Sequence, residues 1–353
     1  MYTIINTPSR GRRSRTNGAD DKGLRLAAVL NGNARQVTAR VARRLSETLP
    51  GGVHVTHTPD DADGIIKQLM AEGVDVLFAG GGDGTLLQTI RAMRRHRPAH
   101  SRMPYLGLLP LGTGNALASH FDLGTALSQL TLAVHGAPAQ VHHLRLLEVD
   151  GEHTPFAGVG VEAMIINDYN QLKGWAQRNH LGRWLTGLPG YLGATMLRTL
   201  PRWLFQQRPQ ATIVNTSNRP AKRVALDGQC LGVVEPGEVI YAGPLTTAAA
   251  STTHCYGFNM RVFPLADWEP DRFQLRIYTG NGIDPLLKVP RLFDGSYTSP
   301  ELFDVLADRV TIHLDKEAPL QIAGDAHGWK QSVTLALSPD VVPVWTPDTT
   351  QLH

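Results

Sequence analysis

From residue 24 to residue 118 short apolar runs alternate with amphipathic ones, and this alternation limits the fold more than any other feature of the chain. Leu24–Leu30 (LRLAAVL) reads as a buried strand, with Asn31-Gly32-Asn33 as the turn after it. Ala34–Leu49 places Val37, Val41 and Leu45 at helical spacing, and Val53–Thr56 is a short strand. Asp60–Glu72 sets Ile65, Leu69 and Met70 on one face of a second helix. Val74–Ala79 and Tyr105–Pro110 are further strands, each followed by a glycine-rich turn, and a helix starts from Thr85. Strand–helix–strand units with links this short predict a mostly parallel sheet covered on both faces. Such sheets bind ligands at the carboxyl ends of their strands, where these turns lie.

Beyond about residue 145 the pattern changes to short Val/Ile/Leu/Tyr runs with period-2 patches, over 141–165, 211–245, 257–278 and 308–337. These predict an antiparallel sheet or sandwich, interrupted by a helical insertion over roughly 167–206. A length of 353 residues leaves room for about two domains. The expected fold class is therefore α/β, with an N-terminal mostly parallel α/β domain over 24–145. A C-terminal antiparallel, β-rich, sandwich-like domain follows over 146–345. Residues 1–23 read as a flexible basic tail and 346–353 as a second tail.

Composition removes several classes of function. The 35 glycines and 23 prolines break the chain too often for a coiled coil or an all-helical bundle. Lys and Arg total 34 against 31 Asp and Glu, so no field of one sign calls for nucleic acid. Two cysteines, Cys230 and Cys255, make neither a disulfide framework nor a metal site by themselves. No apolar run reaches the roughly 18 residues of a spanning helix, and none of signal-peptide length follows Arg10–Arg15. A cytoplasmic protein, with access to the inner face of a membrane, is expected.

Two glycine loops carry the chemistry. Ala79-Gly80-Gly81-Gly82-Asp83-Gly84-Thr85 follows a strand and opens a helix. Glycines there let backbone N–H groups approach phosphate, and the helix N-terminus adds the positive end of its dipole. An aspartate beside phosphate calls for a divalent cation, which suggests a Mg²⁺-nucleotide. As a plain turn, the same run would use Asp83 as a helix cap. The second loop, Leu109-Pro110-Leu111-Gly112-Thr113-Gly114-Asn115-Ala116-Leu117-Ala118, repeats strand, glycine turn and helix, and Asn115 alone would serve as a cap. Neither loop is a Walker A motif or a dinucleotide fingerprint.

The pair GGGDGT and LPLGTGNALA at this separation resembles the diacylglycerol-kinase-type lipid kinases, a family that includes the sphingosine and ceramide kinases and the YegS-like proteins. The resemblance implies that the α/β domain binds ATP with Mg²⁺ and that a lipid alcohol is the acceptor. Asn31 resembles the family's first nucleotide loop and Thr56 its threonine after the second strand. Gly81, Gly82, Asp83, Gly84, Thr85, Leu86, Leu87 and Gln88 match the next set of ATP-contacting positions, and Gly112, Thr113 and Asn115 the last.

The family's third motif is Asp-Gly-Glu near the C-terminus. The matching stretch is Leu320-Gln321-Ile322-Ala323-Gly324-Asp325, with Ala323 at the Asp position and Asp325 at the Glu position. Asp325 would take the acceptor hydroxyl's proton, with Asp83 as the other catalytic carboxylate. A structural metal in this family would fall near Asp271, where Arg272 occupies a glycine position. Asp227-Gly228-Gln229 reads as a hairpin turn instead. His142 and His143 point to opposite faces of a strand and cannot chelate one ion.

Residues 173–206 hold Lys173, Arg178, Arg183, Arg198 and Arg202 among Trp175, Trp184, Tyr191 and Trp203, with no acidic residue. Such a segment suits an anionic lipid surface, and equally a helix pair packed on the β-rich domain. Alternatives to the lipid kinase are an NAD kinase-like enzyme and a nucleotide- or lipid-binding regulator weakened by Ala323. The acceptor lipid and the oligomeric state stay open, a homodimer included. A change at Asp83 to Asn is expected to spare the fold, as a surface-loop substitution.

Overall fold

The computed structural model describes residues 3–5, 24–99, 101–112, 115–178, 193, 199, 207–256, 259–281 and 283–348. Thr113 and most of the basic, aromatic segment 179–206 lie outside these. The chain divides into two compact units, Met1–Leu144 with Val341–His353, and Arg145–Asp340.

In the first unit the elements run β1 (Thr3–Ile5), β2 (Leu26–Asn31), α1 (Ala39–Thr48), β3 (Val53–Thr56), α2 (Pro59–Ala71), β4 (Val76–Gly81), α3 (Asp83–His96), β5 (Tyr105–Pro110), α4 (Ala116–His120), α5 (Ala126–Val134) and the first half of β6 (Ala139–Val149), whose second half belongs to the other unit. Strand β2 pairs in parallel with β3 and β4, and β4 with β5. The expected mostly parallel sheet is present. Helix starts follow local chemistry. Thr38 caps α1 through Val41 N–H, and Thr58 and Asp61 form a reciprocal capping box on α2 with Pro59 in its first turn.

Two differences from the sequence reading concern the chain's end and one helix face. In α2 the buried residues are Ile66, Leu69 and Met70, so Ile66 rather than Ile65 turns inward. Residues 341–347 group with the first unit rather than with the β-rich domain. They extend a long strand, β17 (Asp325–Pro347), whose Val344 and Trp345 pair in parallel with Leu106 and Gly107 of β5. Trp345 is 2% exposed and meets Phe78 edge-on, ring centroids 5.6 Å apart. Gly107 is the cross-strand partner of both residues, and a Cβ on it would overlap the Phe78 ring.

The second unit contains β7 (Glu152–Thr154), β8 (Phe156–Gly160), α6 (Val161–Arg178), β9 (Gln210–Asn215), β10 (Ala221–Val224), β11 (Cys230–Val234), β12 (Val239–Pro244), β13 (Thr247–Ser251), β14 (Phe273–Tyr278), β15 (Leu302–Ala307), β16 (Arg309–Ile322) and most of β17. Pairing runs β11–β10–β15–β14–β13–β8–β16–β9–β12, antiparallel throughout. Strand β16 also pairs with β17, and a bulge between His313 and Ala318 separates its β9-paired half from its β8-paired half. Val159, Ile213, Leu275, Ile312, Leu320 and Val333 lie in the core. The sequence Asp227-Gly228-Gln229 closes the β10–β11 hairpin, with Gly228 at φ +83°.

Two glycines make opposite stability predictions. Gly107→Ala should lower stability by about 1–3 kcal/mol, because its neighbour is a packed ring. Gly64 is an exposed position of α2 with open space around its Cα. Gly64→Ala should raise stability by about 0.5–1 kcal/mol through helix propensity. Urea unfolding of both variants checks the pair.

Candidate functional site

Parallel register gathers the candidate residues at one edge of the first unit. Asn31 lies opposite Thr56, Leu30 opposite Gly80, and Gly81 opposite Pro110, so the loops after four strands leave the sheet side by side. Asn31 ties two of them: its amide donates to Thr85 Oγ1 at 3.1 Å, and its carbonyl accepts the Asn33 N–H at 3.0 Å. Thr56 is buried and donates its hydroxyl to the Leu30 carbonyl. Its role in this structure is to brace β3 against β2.

The consecutive glycines have separate reasons. A Cβ on Gly80 would overlap Leu30, and one on Gly81 would overlap the Thr85 side chain. One on Gly112 would overlap Gly82 Cα, so the two glycine loops touch backbone to backbone. Gly84 differs, because a Cβ there meets nothing within 4 Å. It sits exposed in the first turn of α3, where free N–H groups and the dipole favour an anion. That face of the turn is open to solvent.

Asp83 is held where the sequence did not place it. Its Oδ2 accepts the Ala116 N–H at 3.0 Å and its Oδ1 the Leu117 N–H at 3.1 Å. It therefore caps α4, the helix of the other loop. Burial pushes the carboxyl above its ordinary range, opposed by the amides of Ala116, Leu117 and Asp83 itself. Asn115 closes the second loop from inside: its side chain accepts the Gly112 N–H and donates to the Gly112 carbonyl. It takes the left-handed conformation at φ 48°, which Asn tolerates better than most residues. Gln36, which sequence reasoning missed, donates to the same carbonyl at 2.8 Å.

Beside these loops a cleft of about 400 Å³ is lined by Asn31, Thr56, Thr85 and Gln88 among the candidates. Asn33, of the same turn as Asn31, lines it too, and so do His57, Arg91 and Arg95, which the motifs do not mark. Arg91 and Arg95 are four residues apart on α3, so they share a helix face; that spacing was the signal available in the sequence. Asp63 pairs with Arg95 and His96 at 2.8 Å each. Leu86 and Leu87 turn the other way, into the core, and offer a ligand no side chain.

In the second unit Asp325 opens β17, exposed, directly after the turn Ala323-Gly324. Both turn residues have positive φ, 53° and 82°, the geometry of a tight two-residue hairpin between the paired Ile322 and Asp325. Asp271 is engaged by the Arg219 guanidinium, which also bridges to Asp308 at 3.0 Å. That contact holds the Asp271 carboxyl below its usual range, and a cation there would have to displace an arginine. Among the described residues no group of three or more His, Cys, Asp or Glu gathers to hold a metal. Among them, too, no helix is long and apolar enough to cross a membrane.

Two solved structures of diacylglycerol kinase type from Bacillus anthracis str. Sterne share this two-unit fold. One aligns with a TM-score of 0.62 at 16% identity, over 89% of this chain and 94% of that one. The other aligns at 0.54 and 14%, over 92% and 94%. The class is thus an α/β unit joined to an antiparallel β unit, in the diacylglycerol kinase fold.

Residues 27–146 match the diacylglycerol kinase catalytic domain, so this third of the chain carries a domain of the diacylglycerol kinase type. A Xanthomonas oryzae pv. oryzae protein named probable lipid kinase YegS-like is 38% identical over 104 residues, 29% of this chain and 33% of that protein. One of the same name from Yersinia pestis is 33% identical over 129 residues, 35% and 42% of the two lengths. The match spans about a third of the Xanthomonas relative's length.

The geometry changes the expectation for Asp83→Asn. An amide can accept one backbone N–H but sets a donor against the other. The variant should lose about 1–3 kcal/mol, as charge-assisted bonds to Ala116 and Leu117 are cut. Thermal unfolding tests this, and an unchanged midpoint would return Asp83 to the rank of a surface-loop residue.

Proposed function

We propose that this protein is an ATP-dependent lipid kinase that transfers the γ-phosphoryl group to a hydroxyl of a lipid alcohol. The observation that carries the reading is the open face of the turn at Gly84. It lies beside the Gly82–Gly112 contact, within the domain that matches the diacylglycerol kinase catalytic family. Asn31, Thr85 and Gln88 would orient the nucleotide, and the α3 N-terminus would face its phosphates. Mg²⁺ arriving with ATP would neutralise phosphate charge, with phosphate oxygens and water as most of its ligands. Asp325, exposed on its turn, would accept the acceptor's proton. The alkoxide oxygen then bonds to the γ-phosphorus as the bond to the ADP oxygen breaks. Positioning and electrostatics dominate such a transfer, which suits a site built from backbone loops.

The experiment is phosphorylation of a mixed lipid extract with radiolabelled ATP. A labelled lipid supports the kinase and identifies the acceptor. Label on NAD would support the NAD kinase-like reading, and ATP binding without any transfer would support the regulator. Gly84→Ala should keep the unfolding midpoint while ATP affinity falls by about tenfold or more, because the added methyl fills that open face. Asp325→Ala should lower turnover about 10²–10⁴-fold with little change in ATP affinity. Wild-type turnover in that variant would remove Asp325 from the reaction.

The segment 173–206 is proposed to rest on anionic lipid, supported by its basic and aromatic composition and by Trp175, 47% exposed. Binding to anionic vesicles should then fall steeply with salt, since attraction is screened over about 8–10 Å at physiological ionic strength. Salt-independent binding, or none, would make the segment ordinary packing.

A further inference from the structure

Glu162, at the second position of α6, carries an acid that the nucleotide loops do not use. Its carboxyl stands over the backbone of Gly158 in β8, in the space a Cβ there would occupy. Gln321 of β16, fully buried, is the cross-strand partner of Gly158. Its amide is used at both ends. Nε2 donates to Glu162 Oε1 at 3.4 Å, and Oε1 accepts the Gly324 N–H at 3.0 Å. Gly324 is the second residue of the turn that aims Asp325. The first, Ala323, is tied through its N–H to the Phe156 carbonyl at 3.1 Å.

We propose that Glu162 and Gln321 are a positioning pair that fixes the Ala323-Gly324 turn, and with it the direction of the Asp325 carboxylate. The inference rests on the reading of Asp325 as the group facing the acceptor hydroxyl. A carboxylate only accepts hydrogen bonds, so ionised Glu162 takes the NH₂ end of the Gln321 amide and turns the carbonyl end to Gly324. A protonated Glu162 can donate to that carbonyl instead. The amide is then free to rotate, and its NH₂ would oppose the Gly324 N–H.

Burial raises the Glu162 carboxyl to about 7, with Gln321 and Tyr256 pulling weakly the other way. Its neighbours on the packed elements, Gln321 of β16, Ala249 of β13 and Tyr256 beyond β13, carry no charge. The pair would therefore tighten as pH rises through about 7. The sign for stability is opposite. A carboxyl raised in the folded state favours folding while protonated, and that contribution is lost as pH rises through about 7.

Glu162→Gln separates positioning from plain structural support. At pH 8 it should unfold at a higher temperature than the wild type, having no buried charge. Yet its kcat should fall about 10- to 100-fold through misplacement of Asp325, with KM for ATP unchanged and the acid limb near pH 7 gone. Gln321→Met should lower kcat to a similar extent at every pH. The amide resonance of ¹⁵N-labelled Gly324 gives a readout independent of activity. It should titrate with a midpoint near 7 in the wild type and not in Glu162→Gln. A kinase whose Gly324 amide ignores both substitutions, with kcat intact, overturns the positioning pair and leaves the kinase reading standing. A Gly324 amide that titrates in a protein labelling no lipid removes the kinase reading and leaves the pair.

Discussion

The backbone contact between Gly82 and Gly112 is the constraint on which the first unit's site depends. A side chain on Gly112 would run into Gly82 Cα, so two loops from neighbouring parallel strands can meet at that separation only while Gly112 stays bare. Strand register delivers them there, with Gly81 opposite Pro110. The Asp83 carboxylate then fastens one loop to the start of the helix that follows the other. Asn31, Gln36 and Asn115 add side-chain bonds around the same crossing. A loop pair pinned at this many points would lose little freedom if a ligand bound to its backbone amides.

The parallel sheet was legible because its signals are local. Val53–Thr56 and Tyr105–Pro110 have the boundaries their apolar runs indicate, the helix over residues 39–48 falls inside its expected span, and that over 59–71 is offset from its own by one residue. What the sequence hid is non-local. Val344 and Trp345 belong to the first sheet by pairing with a strand more than 200 residues earlier, and no periodicity encodes that. Leu302–Ala307 is a strand outside the spans that the period-2 patches mark, and α6 begins at Val161 inside one of those spans, because short apolar runs suit either state.

The same distinction holds at the site. Gly-rich loops announce themselves, since few other structures need consecutive glycines. Asp83 stood out in its loop, but its partners did not, because Ala116 and Leu117 take part through backbone N–H groups that every residue possesses. Leu86 and Leu87 were carried along by adjacency to the motif, while helical geometry turns their side chains into the core. Arg91 and Arg95 face the cleft from one turn further along the same helix. Glu162 looked like one more acid, and only the fold sets its carboxyl over Gly158 and beside Gln321.

The third motif shows how a departure from a family pattern is read physically. Ala323 occupies a left-handed position, φ 53°, where a Cβ costs roughly 1–2 kcal/mol and Asp or Asn is more at ease. An aspartate there would thus serve the backbone as well as any chemistry, and its loss leaves a turn under mild strain. That strain is resisted by the bonds from Ala323 to Phe156 and from Gly324 to Gln321. With Asp325 one methylene shorter than a glutamate, its reach depends more on the turn than a longer side chain's would. A shortened acid on a strained turn therefore makes the buried Gln321–Glu162 support matter more here than in a chain that keeps Asp-Gly-Glu.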